Sequence, residues 1–325
     1  MKHYSIAVIL CVLTILLGAC RPEDTDLRQI GSQKKMVLYC FPMNSDSTLI
    51  QLTSSNPVGE EIRLNDYIND AQVTLSVNGI KTSILKDEGF CIKNKLKTND
   101  RIDLSITAAG LPDISAHTVI PDAFPLESVK MEPDAGNSNY LQFQITFKDD
   151  ALKNDYYGIQ VQTKTDYYEY KINSDSTLTQ INYKSKITNG TLDIEKEPLL
   201  NNLSDLDKIV GFVNDFYQNF YIWEDKKIQG RTYTLKAKAI KSVDSEYKDD
   251  SDLIKHVYKY SYRVCMYKLS EEAYRFLKAL NDQYNNQLGK SGLSFINPNY
   301  SNVQNGLGVL GGMNRMQTEW MKLTK

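Results

Sequence analysis

The sequence predicts a mainly β protein: two tandem β-sandwich domains followed by one C-terminal helix. Three observations carry that expectation. Apolar and polar residues alternate with period 2 in segment after segment, as in Gln72–Asn78, Arg101–Thr107 and Leu141–Lys148. The aromatics are skewed to 21 Tyr against 10 Phe and 2 Trp. Tyr suits a half-wet sheet face, where the ring packs and the hydroxyl reaches water. The length of 325 residues corresponds to about two domains at roughly 100–200 residues each. Charge is nearly balanced, with 38 Lys plus Arg against 40 Asp plus Glu, which excludes a polybasic nucleic-acid binder and an acidic disordered chain.

The chain opens Met1-Lys2-His3-Tyr4-Ser5, runs apolar from Ile6 to Leu17, and continues Gly18-Ala19-Cys20. A basic start, an apolar stretch of about 12 residues and small residues before a cut mark residues 1–19 as a secretory signal. That stretch is too short to span a bilayer comfortably, and no later segment has the ~18 consecutive apolar residues of a membrane helix. Leu17-Gly18-Ala19-Cys20 resembles a bacterial lipobox, in which the cysteine thiol takes a diacylglycerol and the signal is cut before it. An ordinary signal peptide with an incidental cysteine is the alternative. A lipidated Cys20 at the head of a tether (20–32) implies a membrane anchor, made lasting by a second acyl chain. Glu23, Asp24 and Asp26 resemble the export signal of surface lipoproteins of the Bacteroidota, so an outer-membrane site facing the cell exterior is expected. With Cys11 in the signal and Cys20 lipidated, Cys40, Cys91 and Cys265 remain. A Cys40–Cys91 bridge and three buried thiols both stay open, while the lack of a CxxC pair excludes a zinc ribbon.

The first sandwich is expected over 33–122. Its strands are Met36–Phe41, Leu49–Thr53, Gln72–Asn78, Ile80–Leu85, Phe90–Ile92, Arg101–Thr107 and Ser115–Ile120. Val73, Leu75 and Val77 share one face, Ile102, Leu104 and Ile106 point inward, and Asn78-Gly79 is a hairpin turn because both residues tolerate positive φ. Pro121 and Pro125 bracket the joint. The second β-rich domain, 123–325, follows. There Leu141, Phe143, Ile145 and Phe147 alternate with polar residues, as do Tyr157, Ile159 and Val161, then Tyr233, Leu235, Ala237 and Ala239, then Tyr258, Tyr260, Tyr262 and Val264. An irregular excursion (187–230) interrupts the pattern. The helix is expected over 271–288. Ser270 is its N-cap, Glu271 and Glu272 suit the positive end of its dipole, and Gly289 lies just past its end. Phe276, Leu277, Leu280, Tyr284 and Leu288 form its apolar stripe, expected to pack on the second sandwich. Ser291–Lys325 reads as loop.

Candidate chemistry is sparse. Gly306-Leu307-Gly308-Val309-Leu310-Gly311 matches the dinucleotide fingerprint, but only 14 residues follow Gly311 and the body is antiparallel β, so tight backbone packing is the better reading. Asp149-Asp150, Asp155 and Asp249-Asp250-Ser251-Asp252 lack the spacing of a calcium loop and read as solvated turns. No serine has the G-x-S-x-G context, and His117 and His256 stand without a motif and read as structural. No metal, cofactor or catalytic residue is expected, and the chain is not expected to be an enzyme. Aromatics concentrate at Tyr167-Tyr168-Glu169-Tyr170 and in the excursion. Phe216, Tyr217, Phe220, Tyr221 and Trp223 are weighed there as core and, alternatively, as the best candidate ligand or partner contact.

A family resemblance follows from a succession of motifs. After the lipobox come Asn69-Asp70-Ala71-Gln72-Val73-Thr74-Leu75 and Val119-Ile120-Pro121. Phe147-Lys148-Asp149-Asp150 and Asp155-Tyr156-Tyr157-Gly158-Ile159 are next, and Ser301-Asn302-Val303-Gln304-Asn305-Gly306-Leu307-Gly308-Val309 closes the series. Their order resembles the Bacteroidota lipoproteins grouped as domain of unknown function 4249. The resemblance implies a β-rich fold beginning with an immunoglobulin-like domain, and genomic proximity to TonB-dependent transporters. It assigns no catalytic residue. The expected role is an accessory or substrate-binding partner of such a transporter; a structural or adhesive surface lipoprotein is the rival, and a hydrolase stands third.

Overall fold

The computed structural model describes residues 34–45, 47–56, 67–86, 89–93, 95–201, 215–250, 253–285 and 300–323. Cys20, the signal and the tether lie outside them. Lys35–Ser54 and Tyr67–Lys325 form one compact unit. No helix among the described residues is long and apolar enough to cross a membrane.

The N-terminal strands are β1 (Met36–Cys40), β2 (Thr48–Ser54), β3 (Gln72–Val77), β4 (Ile80–Thr82), β5 (Leu85–Lys86), β6 (Phe90–Ile92), β7 (Arg101–Thr107) and β8 (Ile114–Val119). They form two sheets. One contains β1-β2-β6-β5 and the other runs β4-β3-β7-β8. The alternating residues close a core between them, with Met36, Leu38, Ile50, Leu75, Ile92, Ile102, Leu104 and Ile106 almost wholly buried. Asn78 (φ 52°) and Gly79 (φ 81°) turn the β3–β4 hairpin in the left-handed region. Cys40 lies in that core beside Phe90 and Ile92, whereas Cys91, between those two on β6, faces the other side. All three cysteines are free thiols, and Cys91 is half-buried rather than buried.

The second set comprises β9 (Leu126–Pro133), β10 (Tyr140–Lys148), β11 (Tyr156–Ile172), β12 (Leu178–Asn189), β13 (Leu192–Asp193), β14 (Tyr221–Glu224), β15 (Thr232–Ile240), β16 (Ser245–Lys248) and β17 (Ile254–Leu269). One sheet runs β13-β15-β10-β9, and the other β12-β11-β17-β16 with β14 added to the edge of β11. Phe143, Ile145, Phe147 and Leu235 from the first meet Tyr157, Ile159, Val161, Tyr262, Val264 and Met266 from the second in a dry core. The 17-residue β11 and the 16-residue β17 are far longer than the alternation marked. At ~3.3 Å per residue they span about 55 Å, so their outer halves project beyond the sandwich.

Two expectations are corrected here. The helix α1 (Glu271–Asn285) does not pack on the second sandwich alone. Its Phe276 meets Tyr39 and Phe41 of the first sandwich region at 5.8 and 6.1 Å, while Tyr274 stacks on Tyr156 of β11 at 4.5 Å. Ser270 caps it as expected, its Oγ accepting the Ala273 N–H at 3.2 Å, but Tyr284 is exposed. The tail is not wholly loop either. β18 (Leu307–Leu310) pairs parallel with β1, and β19 (Met313–Gln317) pairs antiparallel with β17. The first sandwich is therefore not one continuous stretch of chain, and Gly311-Gly312 carries the tail from one sheet system to the other. Gly308 (φ 98°) would place a Cβ 2.0 Å from the Leu38 carbonyl oxygen, and Gly312 would place one 2.1 Å from that of Val119. Close backbone approach thus accounts for these glycines, and a strand rather than a phosphate-binding helix follows them.

Candidate binding surface

The five excursion aromatics divide sharply. Residues Tyr217–Asn219 form a 3-10 turn and Tyr221–Glu224 is strand β14, paired with β11. Trp223 lies between Tyr157 (5.7 Å, stacked) and Phe147 (5.9 Å), and Phe220 meets Tyr267 edge-on at 4.9 Å. Tyr221 is buried, and its hydroxyl accepts the Leu192 N–H at 2.7 Å. These three are core. Phe216 is half-buried and Tyr217 exposed; of the pair, Phe216 lines a cleft of about 320 Å³ with Asp215, Asn219 and Tyr284.

The acidic turns also part company with expectation. Asp149 and Asp155 are buried, not solvated, and form an ionic joint below the Pro121–Pro125 link. Lys268, only 4% exposed, holds Asp122 and Asp155 at 2.6 Å each, and Lys153 pairs with Asp122 from outside. The Tyr157 hydroxyl donates to Asp149 Oδ1 at 2.7 Å, the Gly230 N–H donates to Asp149 Oδ2 at 2.7 Å, and the Asp155 N–H donates to Asp225 Oδ2 at 2.6 Å. Burial pushes the Asp155 and Asp225 carboxyls above the usual carboxylate range, against the pull of Lys268 on Asp155 and of the Asp155 N–H on Asp225. For Asp122 burial acts upward too, but Lys153 and Lys268 together bring it below that range. Every carboxylate of the group has a donor, as a structural joint requires. Asp249 is a turn residue as expected, its Oδ1 accepting the N–H groups of Leu253 and Ile254.

The projecting halves of β11 and β17, flanked by β12 and β16, form a tyrosine-faced ribbon. Register places Tyr167 opposite Tyr258, Glu169 opposite His256, and Tyr247 opposite His256. On this face the rings of Tyr167 and Tyr258 lie 4.8 Å apart, and those of Tyr247 and His256 lie 4.7 Å apart. The Tyr167 hydroxyl donates to Glu169 and contacts His256 Nδ1 at 2.8 Å, and Asn182 Nδ2 donates to Glu169 at 3.1 Å. Those two hydrogen bonds hold Glu169 below the usual carboxylate range, while burial and Glu169 raise the Tyr167 phenol. The other face carries Tyr168 against Tyr183 (5.0 Å) and Tyr170 (6.1 Å). Below them, burial acts to raise Asp166, but hydrogen bonds from Ser185 and Tyr183 and the Lys164 ion pair outweigh it and bring Asp166 below the ordinary range. Tyr247 is 53% exposed and Tyr183 48%. Such a patch can stack on flat rings or bury into a protein partner as aromatic anchors, because ring area is gained at little entropic cost. Sequence reading singled out Tyr167–Tyr170 but missed Tyr183 and Tyr247 as their neighbours. Neither lies in a run of tyrosines, and only the pairing of β12 with β11 and of β16 with β17 brings them there.

A family model described as Domain of unknown function (DUF4249) matches residues 21–319. No curated protein matches the chain. A solved structure, from work on the structural basis of promiscuous specificity in carbohydrate-binding modules of the β-sandwich superfamily, aligns over 70% of this chain and 98% of its own. Identity is 8% and the TM-score 0.17, too low to carry any argument about fold or ligand.

Proposed function

The chain belongs to the DUF4249 family, and from that premise we propose that it is a lipid-anchored outer-membrane protein, facing the cell exterior, that assists a TonB-dependent transporter by binding substrate or the transporter itself. The observation that supports binding is the ribbon, whose tyrosines stand on two faces of a sheet that has left its own sandwich. The anchor rests on Cys20 within Leu17-Gly18-Ala19-Cys20, and the transporter on the family resemblance. Catalysis forms no part of the reading.

The test is capture of partners from detergent-solubilised outer membranes with the full lipidated chain as bait. The expected result is a TonB-dependent transporter at near-stoichiometric yield, reduced when Tyr167, Tyr247 and Tyr258 are replaced by Ala together. Absence of any transporter overturns the reading. A deletion strain that loses surface attachment but keeps normal nutrient uptake favours the structural or adhesive alternative, for which two β-sandwiches on a lipid stalk would suffice.

A further inference from the structure

We infer that β12 is an acceptor edge, to which an extended partner segment with acidic residues at alternate positions adds as a further strand. The inference rests on the partner-binding reading above and gives that partner a chemistry. β12 is 12 residues long and pairs only with β11, from Gln162↔Asn189 to Ile172↔Leu178. Among the described residues nothing pairs with the outer side of Leu178–Thr188. An antiparallel edge strand offers a row of N–H and C=O groups there, the template used when a peptide joins a sheet.

A second long edge in the molecule shows what a protected one looks like. β9 carries Glu127, Lys130 and Glu132, ends on Pro133, and turns Leu126, Val129 and Met131 toward the core. Proline removes a ladder donor outright, and charge on an edge discourages strands of like charge; β12 carries lysines but no proline. β12 instead leaves Leu178 (48%), Ile181 (51%), Tyr183 (48%) and Ile187 (49%) exposed. Such side chains fit a sheet surface that is to be covered.

Charge selects the occupant. Lys184 and Lys186 sit opposite Tyr167 and Thr165, and so share one face of β12. A second copy pairing antiparallel about Ser185 would set Lys184 directly against Lys186, and like charges in opposed positions are destabilising. A strand with acidic residues at alternate positions instead places a carboxylate beside each lysine. Its other face then meets Tyr183 and Ile187.

The experiment uses the purified full chain and two synthetic ten-residue probes, one alternating Glu with Val and the other Lys with Val. Backbone amide exchange and binding are followed together. The acidic probe is expected to bind and to slow exchange along β12, while the basic probe does neither. Lys184→Glu with Lys186→Glu should weaken the acidic probe about tenfold and admit the basic one, since attraction at two cross-strand positions becomes repulsion. Both positions are exposed, and an unchanged circular dichroism melt verifies that the double variant folds. Equal binding of both probes, binding of neither, or protection away from β12 overturns the inference. So does a dimer whose β12 amides are protected without any probe. Transporter capture that survives the double charge reversal refutes the inference and leaves the proposed function standing. Acidic-probe binding without any transporter capture does the reverse.

Discussion

β11 and β17 pass through two environments within a single pair of strands. At the inner end Tyr157 and Tyr262 are almost wholly buried, and their hydroxyls reach Asp149 and the Ser242 backbone. At the outer end Tyr167 and Tyr258 pack against each other and against His256 and Tyr247, on a face that extends past the sandwich core. The residue type, the period and the ladder are the same. What differs is whether a second layer lies above. Where it does, a buried hydroxyl needs an internal partner, and the Asp149–Asp155–Lys268 joint supplies one to Tyr157. Where it does not, the hydroxyls of Tyr167 and Tyr183 bond to Glu169, His256 and Asp166 along the ribbon itself, and rings such as Tyr183 and Tyr247 keep exposed surface.

The largest break in this comparison is expected from Lys268→Met, which strands Asp122 and Asp155 without their buried cation. Removing one partner of a buried pair costs about 3–5 kcal/mol. Urea denaturation should show that loss at neutral pH and a smaller gap in acid, where Asp155 takes up a proton. Next comes Tyr157→Phe, which takes a donor from Asp149 at the inner end; about 1–3 kcal/mol should disappear from the same denaturation curve. At the outer end Tyr258→Ala should cost only about 0.5–1.5 kcal/mol, the worth of an aromatic pair. Partner capture should nonetheless fall, and a variant that melts normally but captures as well as the parent removes Tyr258 from the binding surface.

The smallest effect distinguishes the two ends by pH. Asp155 and Asp225 titrate above their unfolded values, so the folded state binds protons more readily there. Their contribution to stability grows as pH falls from the raised folded value toward the unfolded one, two gains set against the single loss at Asp122, which Lys153 and Lys268 hold below its unfolded value. Asp166 and Glu169 titrate below their unfolded values, so the stability they provide is present above those values and is lost as pH falls through the folded ones. On acidification, amides of the outer ribbon should therefore lose exchange protection before those flanking the joint. Simultaneous loss at both ends removes the electrostatic part of the comparison.

Much of this architecture was legible in the sequence. The inward sets Ile102-Leu104-Ile106 and Leu141-Phe143-Ile145-Phe147 are buried as their alternation requires, and Asn78-Gly79 and Ser270 act as turn and cap. Less legible were elements whose partners lie far away in the chain. Leu307–Leu310 is short and Gly-containing, and becomes a strand only because β1 offers it an edge. Asp155 looks like a turn residue until Lys268, more than a hundred positions later, is brought against it, and Asp149 until the Tyr157 hydroxyl and the Gly230 N–H close on it. Phe216–Trp223 reads first as core, with contact surface as the alternative, and the structure makes Phe220, Tyr221 and Trp223 core while leaving Tyr217 exposed.

The chain's own order of residues determined which segments are strands, which side chains share a face, where hairpins turn and where the helix begins, because these depend on neighbours within a few positions. Only the tertiary structure decided which faces are covered. Coverage depends on distant segments meeting: the tail stitching β1 to β17, the helix lying between the sandwiches, and two strands outrunning the sheet opposite them. Burial, and with it the charge state of a carboxylate or the availability of a tyrosine, belongs to that meeting and not to any local pattern.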